Sequence, residues 1–513
     1  MIYSFCIIIQ HHGNNHFEVV VMRNRNHNRQ KTSSNINLEY INEKLQDCPD
    51  IIAKRVCIEN QKEAFFFFID ALTDKNLIQR DFINPIVMMS LEQLFNEINI
   101  YNLPCNDTTL LYDSEKVVES ILSGNSVFIC DILPFAISCT LPDIEKRGIA
   151  EPITEKNVRG PHEGFVEYLG TNLSILRRKI KNNRLKFKTV TLGVQTRQKV
   201  VVAYIEGIAN IAIVNSLFNK ISEIEIDGLP AIGYVEQSLT PHPHSLFPQF
   251  LSTERPDRAM AALLEGRIVV LQDGTPVVLI APVNFMSFFQ ALDDYSTLWI
   301  HGSFLRIIRL VALVVAILLP SLYIAVTSFH YYAVPLDLLI PLAESRARVP
   351  FPPIVEVLIL EVTVEMIREA AIRLPTYIGT AISVVAGLII GEAAVQAGIV
   401  SDLLIVIVAA TAVASYVIPS YDMSLTIRIL RFCFILASSV FGIIGIVVCT
   451  ALTFAHLVTL ESLGQPYFQP LVPVTGRDFK DTFFRLPLKI MNKRDKTTRT
   501  KNKTRSRDDD RKK

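Results

Sequence analysis

The chain has 513 residues, half of them apolar and only a fifth charged, with a formal net charge of +1 and a positive mean hydropathy. An ordinary soluble domain is about a quarter charged, and this charge is unevenly spread. After Gly476 there are 15 Lys/Arg against 6 Asp, a surplus of nine that leaves the rest of the chain near −8. No aromatic residue follows Phe484 to stack on bases, so the basic tail reads as a membrane-topology signal and excludes nucleic acid as a partner.

Residues 1–36 form a variable N-terminus in which Arg23–Ser34, rich in Asn, Arg and Ser, reads as disordered. Ile2–Ile9 is apolar but has no basic n-region and no small-residue cleavage site. The front half is therefore expected to stay in the cytoplasm. The eight cysteines (Cys6, Cys48, Cys57, Cys105, Cys130, Cys139, Cys433, Cys449) form no C-x-x-C pair, so no disulfide framework is expected.

The next stretch contains an internal repeat. AFFFFIDALTDKNLIQRDFINPI from Ala64 parallels VVVAYIEGIANIAIVNSLFNKISEI from Val200, aligning Asp70 with Glu206 and Ala71 with Gly207. ILSGNSVFICD from Ile121 then parallels LLEGRIVVLQD from Leu263, aligning Gly124 with Gly266 and Asp131 with Asp273. Short β-branched and Phe-rich runs alternate with helical periodicity, which predicts an α/β soluble half of two tandem related subdomains, residues 37–143 and 144–296. Phosphate-loop, dinucleotide, nucleophile-elbow and zinc-protease motifs are all missing from this half. His242 and His244 lie between prolines with only Glu236 nearby, which reads as a solvated loop rather than a metal site. A binding or assembly module without cofactor or catalytic residues is the reading.

Residues 297–474 predict an all-α transmembrane helix bundle. About 20 apolar residues cross a bilayer, and Leu310–Phe329 meets that length, with Pro320 inside it and Arg306 and Arg309 before it. Tyr377–Val400, Leu403–Ile418 and Phe432–Leu460 are the further expected spans. In the second of these spans Gly379, Ser383, Gly387 and Gly391 recur every fourth residue, a small-residue packing face.

Between the first two spans, from Pro350, runs a helical segment of another kind. Glu361, Glu365, Arg368 and Glu369 fall within about a quarter of its circumference at 100° per residue. Charge at membrane depth faces water or another charge, so Glu361, Glu365 and Glu369, with Glu392, are candidate ion-path residues, and Arg368 and Arg373 candidate helix contacts. The bland alternative is an interfacial helix laced with i,i+4 pairs such as Glu369–Arg373. A basic tail, residues 475–513, belongs in the cytoplasm with the front half, which requires an even number of crossings. Four spans satisfy this if the charged helix does not cross, leaving Arg428 and Arg431 outside, whereas counting it places the tail outside.

Ordered blocks carry a family resemblance: RGPHEGFVE at Arg159, GYVEQ at Gly233, FPQ at Phe247, TERPD at Thr253 and LLEGR…DGTP at Leu263. The helical half adds PFPPIVE at Pro350, REAAIRLP at Arg368, IGEAAVQAGIVS at Ile390 and IPSYDMSL at Ile418. The chain resembles the A subunit of the spore germinant receptors, the GerA family, over residues 37–474. It departs at His162, where an Arg is usual, and in its first thirty or so residues. The resemblance implies an inner-membrane protein of the spore that oligomerises into a nutrient-gated channel for monovalent cations. It implies as partners a multi-span B subunit that recognises nutrients and a lipoprotein C subunit. Arg159, Glu163, Glu254 and Arg255 are then expected in structural or subunit contacts. Other readings are a paralogue of the stage V sporulation protein AF type that amplifies ion release, a secondary transporter, and a membrane-anchored enzyme.

Overall fold

The computed structural model describes residues 36–505 apart from 59–61, 71, 106, 142–151, 153–154, 156–158, 374–389, 477 and 496–497. The N-terminal segment, Ala71, and the expected Tyr377–Val400 span up to residue 389, with Gly379, Ser383 and Gly387, lie outside the described residues.

The first unit comprises α1 (Leu38–Lys44), β1 (Ile51–Ile58), β2 (Lys62–Ile69), β3 (Thr108–Leu111), α2 (Ser114–Leu122), β4 (Ser126–Cys130) and β5 (Ala136–Cys139). The second comprises α3 (Leu169–Lys179), β6 (Leu185–Leu192), β7 (Gln198–Ile205), α4 (Ile211–Ser222), β8 (Leu251–Thr253), α5 (Pro256–Leu264), β9 (Ile268–Gln272) and β10 (Val278–Ala281). Strand orders are β1-β2-β4-β5-β3 and β6-β7-β9-β10-β8, the same permutation twice, so the sequence repeat is a repeat of fold. In β2 the two-residue period sends Phe66 and Phe68 into one core and Phe67 into the other. Gly124 and Gly266 sit at equivalent places just after α2 and α5, with φ of +96° and +83°, where a left-handed residue ends each helix.

Every described strand pair in the two sheets is antiparallel, a direction that the α/β reading left open. Periods of 2 and 3.6 report element type, whereas direction follows from the connections. The helical connections after β2 and β7 lead to the far-edge strands β3 and β8, not to an adjacent parallel position. A correction concerns cysteine. Cys105 and Cys139 form a disulfide, although 34 residues separate them. Cys105 lies just before β3 and Cys139 ends β5, and these two strands are neighbours.

The helical half contains α6 (Trp299–Ser328), α7 (Leu336–Ala347), α8 (Pro353–Arg373), α9 (Asp402–Tyr416), α10 (Tyr421–Phe441) and α11 (Ile443–Thr459). Of the described helices, α6 and α10 are long and apolar enough to cross a membrane, and α9 and α11 are apolar but shorter. The expected Phe432–Leu460 span is two helices. Gly442, at φ +61°, breaks it, and a Cβ there would lie 2.9 Å from His330 and 3.1 Å from Phe329 at the end of α6. Apolar composition continues through the break, so hydropathy does not register it.

One hydrophobic core runs from α3, α5, β7 and β9 into α6, α10 and α11 and on to Tyr467 and Phe468. Hydrogen bonds join the same parts: Ser252 to Asp422 (2.5 Å), Thr426 to the Leu246 carbonyl (2.6 Å), Ser245 with His456 (2.9 Å) and Ser462 to the Gln249 carbonyl (2.8 Å). The basic tail does not hang free along its described length. Arg494 donates to the Leu264 carbonyl at 2.7 Å, and the Lys501 amide to that of Ile208 at 3.3 Å.

Candidate functional site

Residues 361, 365 and 368 lie at i, i+4 and i+7, so they stack on one face of α8. That face meets α10, where Arg428 and Arg431 are one turn apart. Arg431 Nη1 lies 2.9 Å from Glu361 Oε2, and Nη2 lies 3.3 Å from Glu365 Oε1. Arg428 Nη1 reaches Glu365 Oε2 at 2.7 Å. From its own helix Arg368 approaches Glu365 at 3.4 Å, and it donates to Ser415 Oγ at 2.8 Å and to the Tyr416 hydroxyl at 3.2 Å on α9. Its guanidinium lies 4.4 Å from the Tyr416 ring centroid, within cation–π range.

Glu361 is fully buried and Arg431 is 1% exposed. Desolvating either ion alone costs several kcal/mol, so each sustains the other. Two carboxylates face three guanidiniums, which gives the cluster a surplus positive charge. It can clamp three helices and set the local potential between them. Beside it a cleft of about 320 Å³ opens between α8 and α9, lined by Val364, Ile367, Val408, Ala412, Arg368 and Tyr416 among others.

Of the expected ion-path residues, Glu361 and Glu365 are brought together with Arg368, and two are not. Glu369 pairs with Arg373 at 2.6 Å on the exposed side of α8, their side chains 64% and 77% accessible. Glu392 is exposed and accepts from Gln396 at 3.2 Å. Arg428 and Arg431, expected on the outside, are buried within α10. The available signal was their i,i+3 spacing inside an apolar run, complementary to the Glu361/Glu365 pair.

A second buried network joins the second soluble unit to the helices. The Asp294 carboxylate, with no exposed surface, accepts from Arg306 Nε at 3.0 Å and from Arg309 Nη1 at 2.8 Å, both on α6. Arg306 also reaches Asp481 of the tail at 2.7 Å, and Arg485 of the tail donates to the Asp294 carbonyl at 2.6 Å. The Tyr295 ring faces both Arg306 and Arg485, at 5.3 and 5.4 Å. Its hydroxyl donates to Asp481 at 2.7 Å, and burial, reinforced by Asp481, holds its pKa well above the ordinary tyrosine value. Glu236, in the short helix Gly233–Leu239 of the second unit, is pushed up to about 7 by burial and then by the charge of Asp422.

Two of the expected contact residues of the soluble half, Arg255 and Glu163, pair within it through their side chains. Arg255 is buried, holds Asp257 with two hydrogen bonds (3.1 and 2.7 Å) and donates to the carbonyls of Glu155 (3.0 Å) and Pro161 (2.8 Å). Glu163 pairs with Arg178 and Lys179, each at 2.9 Å. The Glu254 carbonyl accepts from the Phe165 amide at 2.8 Å, while Arg159 is exposed. Among the described residues no group of three or more His, Cys, Asp or Glu is placed to hold a metal ion.

A doubled antiparallel module, fused through one of its copies to apolar helices whose charges pair with one another, defines the class of protein. The chain belongs to the family described as Bacillus/Clostridium GerA spore germination protein, whose model matches residues 39–497. It is 37% identical over 467 residues to Spore germination protein KA of Bacillus subtilis (strain 168), covering 90% of this chain and 86% of that one. It is 35% identical to Spore germination protein GerQA of Bacillus cereus over 90% and 92% of the two chains. It is 36% identical to an uncharacterized membrane protein, YfkQ, of Bacillus subtilis (strain 168), over 89% and 90%. A crystal structure of the N-terminal domain of the A subunit of the Bacillus megaterium spore germinant receptor GerK3 is 28% identical, covering 50% of this chain and 98% of that one, with a TM-score of 0.36. The family and the relatives named as spore germination proteins support a role in spore germination.

Proposed function

We propose that the chain is the membrane-embedded A-type subunit of a nutrient-responsive germinant receptor. Its copies assemble around a path for monovalent cations, and opening that path triggers germination. Its partners are a multi-span B subunit that binds nutrients and a lipoprotein C subunit, and the chain itself is not an enzyme. The germination role follows from the family. The observation that supports the channel reading is the Glu361–Glu365–Arg368–Arg428–Arg431 cluster, because buried charge among apolar helices marks ion pathways and gates. Glu369, Glu392 and the pair Glu361/Glu365 remain the proposed acidic residues of the path.

The soluble units and the tail share the cytoplasmic side in this proposal. The Asp422 and His456 ends of α10 and α11 meet the second unit, and the Gly442 turn meets the opposite end of α6. The split at Gly442 adds a pass, so counting the charged helix α8 as a pass keeps the number even. The tail then returns to the second unit, where it packs.

The test is potassium release from spores lacking this chain, with and without restoration of the gene. Nutrient-triggered release is expected to disappear and return, while release by an agent that bypasses receptors is unchanged. Undiminished release with every nutrient, in a background without paralogues, would overturn the proposal.

A further inference from the structure

We propose that Glu356, Ser401 and Tyr323 form a well for one monovalent cation, and that the Arg346 guanidinium plugs it in this structure. The proposal rests on the cation reading above and gives that path a second, separate site. Glu356, in the first turn of α8, is fully buried. Its Oε2 accepts from the Ser401 amide at 3.3 Å, but its Oε1 has no hydrogen-bond donor among the described residues. The nearest positive charge is Arg346 Nη2 at 3.7 Å, beyond hydrogen-bond length. The Ser401 hydroxyl lies 3.0 Å from the Tyr323 hydroxyl. Three elements, α6, α8 and the residue that opens α9, thus bring a carboxylate and two hydroxyls to one buried place. Such hard oxygen donors suit alkali cations rather than soft metals.

Arg346 has the character of a displaceable plug. It stands near the end of α7 with 23% of its side chain exposed, whereas Tyr323 and Ser401 are 6% and 1% exposed, so it lies on the outer side of the well. Its Nε has no partner among the described residues. The helix that carries it leaves Leu336 76% and Ile340 62% exposed, and Ser345 accepts from the Asp402 amide at 3.2 Å. A buried carboxylate neutralises one positive charge, and a second in the same place adds an uncompensated buried ion. The guanidinium and a free cation therefore exclude each other. The sequence blocks PFPPIVE and IGEAAVQAGIVS end on Glu356 and Ser401, and this well is where the fold brings those ends together.

The test is equilibrium binding of rubidium to the purified full-length chain in detergent. Arg346→Gln is expected to raise rubidium affinity about tenfold, the effect of removing a competing ion worth ~1.4 kcal/mol. Adding Glu356→Gln should abolish the gain, and adding Tyr323→Phe, which preserves shape, should reduce it several-fold. No gain in Arg346→Gln, or a gain that survives Glu356→Gln, overturns the well. Because binding is read without conduction, a gain in affinity in a chain that proves not to conduct supports the well while removing the channel reading.

Discussion

The two soluble units share a strand order but are embedded differently. In the second unit the α3/α5 face opens into a core that continues through α6, α10 and α11. In the first unit the equivalent α1/α2 face is closed by its own residues, among them Ile36, Leu38 and Tyr40. The first unit is held to the second by a few polar links. Arg177, fully buried on α3, clasps Asp50 with two hydrogen bonds of 2.9 Å and lies 4.9 Å from the Phe187 ring centroid. Lys186 donates to the Lys44 and Gln46 carbonyls. A repeat of fold is therefore not a repeat of role. One copy forms a single body with the helices, and the other is tethered to it.

The largest effect is expected inside the joined body. Glu361→Ala leaves Arg431 buried and sharing the single carboxylate of Glu365 with Arg368 and Arg428, at a cost of roughly 3–5 kcal/mol. Thermal denaturation of purified protein should show this loss, and replacing both residues by leucine should recover much of it. Next comes the tether. Arg177→Ala strands Asp50 at a cost of about 3 kcal/mol, and calorimetry should then resolve the first unit as a separate, earlier transition. Unchanged single-transition melting would show that the tether is not what couples the units.

The paired glycines sharpen the comparison further. Alanine at Gly124 faces only the Leu72 side chain at 3.4 Å, so the left-handed φ dominates and the cost is about 1 kcal/mol. At Gly266 a Cβ would also collide with Thr500 of the tail and approach Ile208 at 3.3 Å, so denaturant titration should show a larger loss there. Equal losses would mean that the tail yields freely.

The last effect is one of pH. The Glu236 pKa, pushed up to about 7 against 4.5 when free, makes the native state hold a proton that the unfolded state releases. Its contribution is intact below pH 4.5 and is lost as pH rises through about 7. Glu236→Gln should flatten the pH dependence of stability across that window, and an unaltered slope would place the titrating group elsewhere.

Much of this comparison was legible in the chain. Matched strings around Asp70 and Glu206 gave the doubling, and the charged face of α8 gave Glu361 and Glu365. Strand direction was not legible, because periodicity is blind to connection. Nor was the Arg428/Arg431 half of the cluster, since a sequence separation of about 60 to 70 residues is closed only by packing α8 on α10. The Gly442 break hid in uniform apolarity. The tail's positive charge suggested a side of the membrane but not that Arg485 would be buried against Asp294.

The most direct test of the central claim is cation release from spores carrying Glu365→Gln, triggered once by nutrient and once by a route that bypasses receptors. The account predicts loss of nutrient-triggered release alone, at normal protein levels, because Glu365 joins Arg368, Arg428 and Arg431 across two helices. Normal nutrient-triggered release would contradict it and reduce the cluster to helix packing.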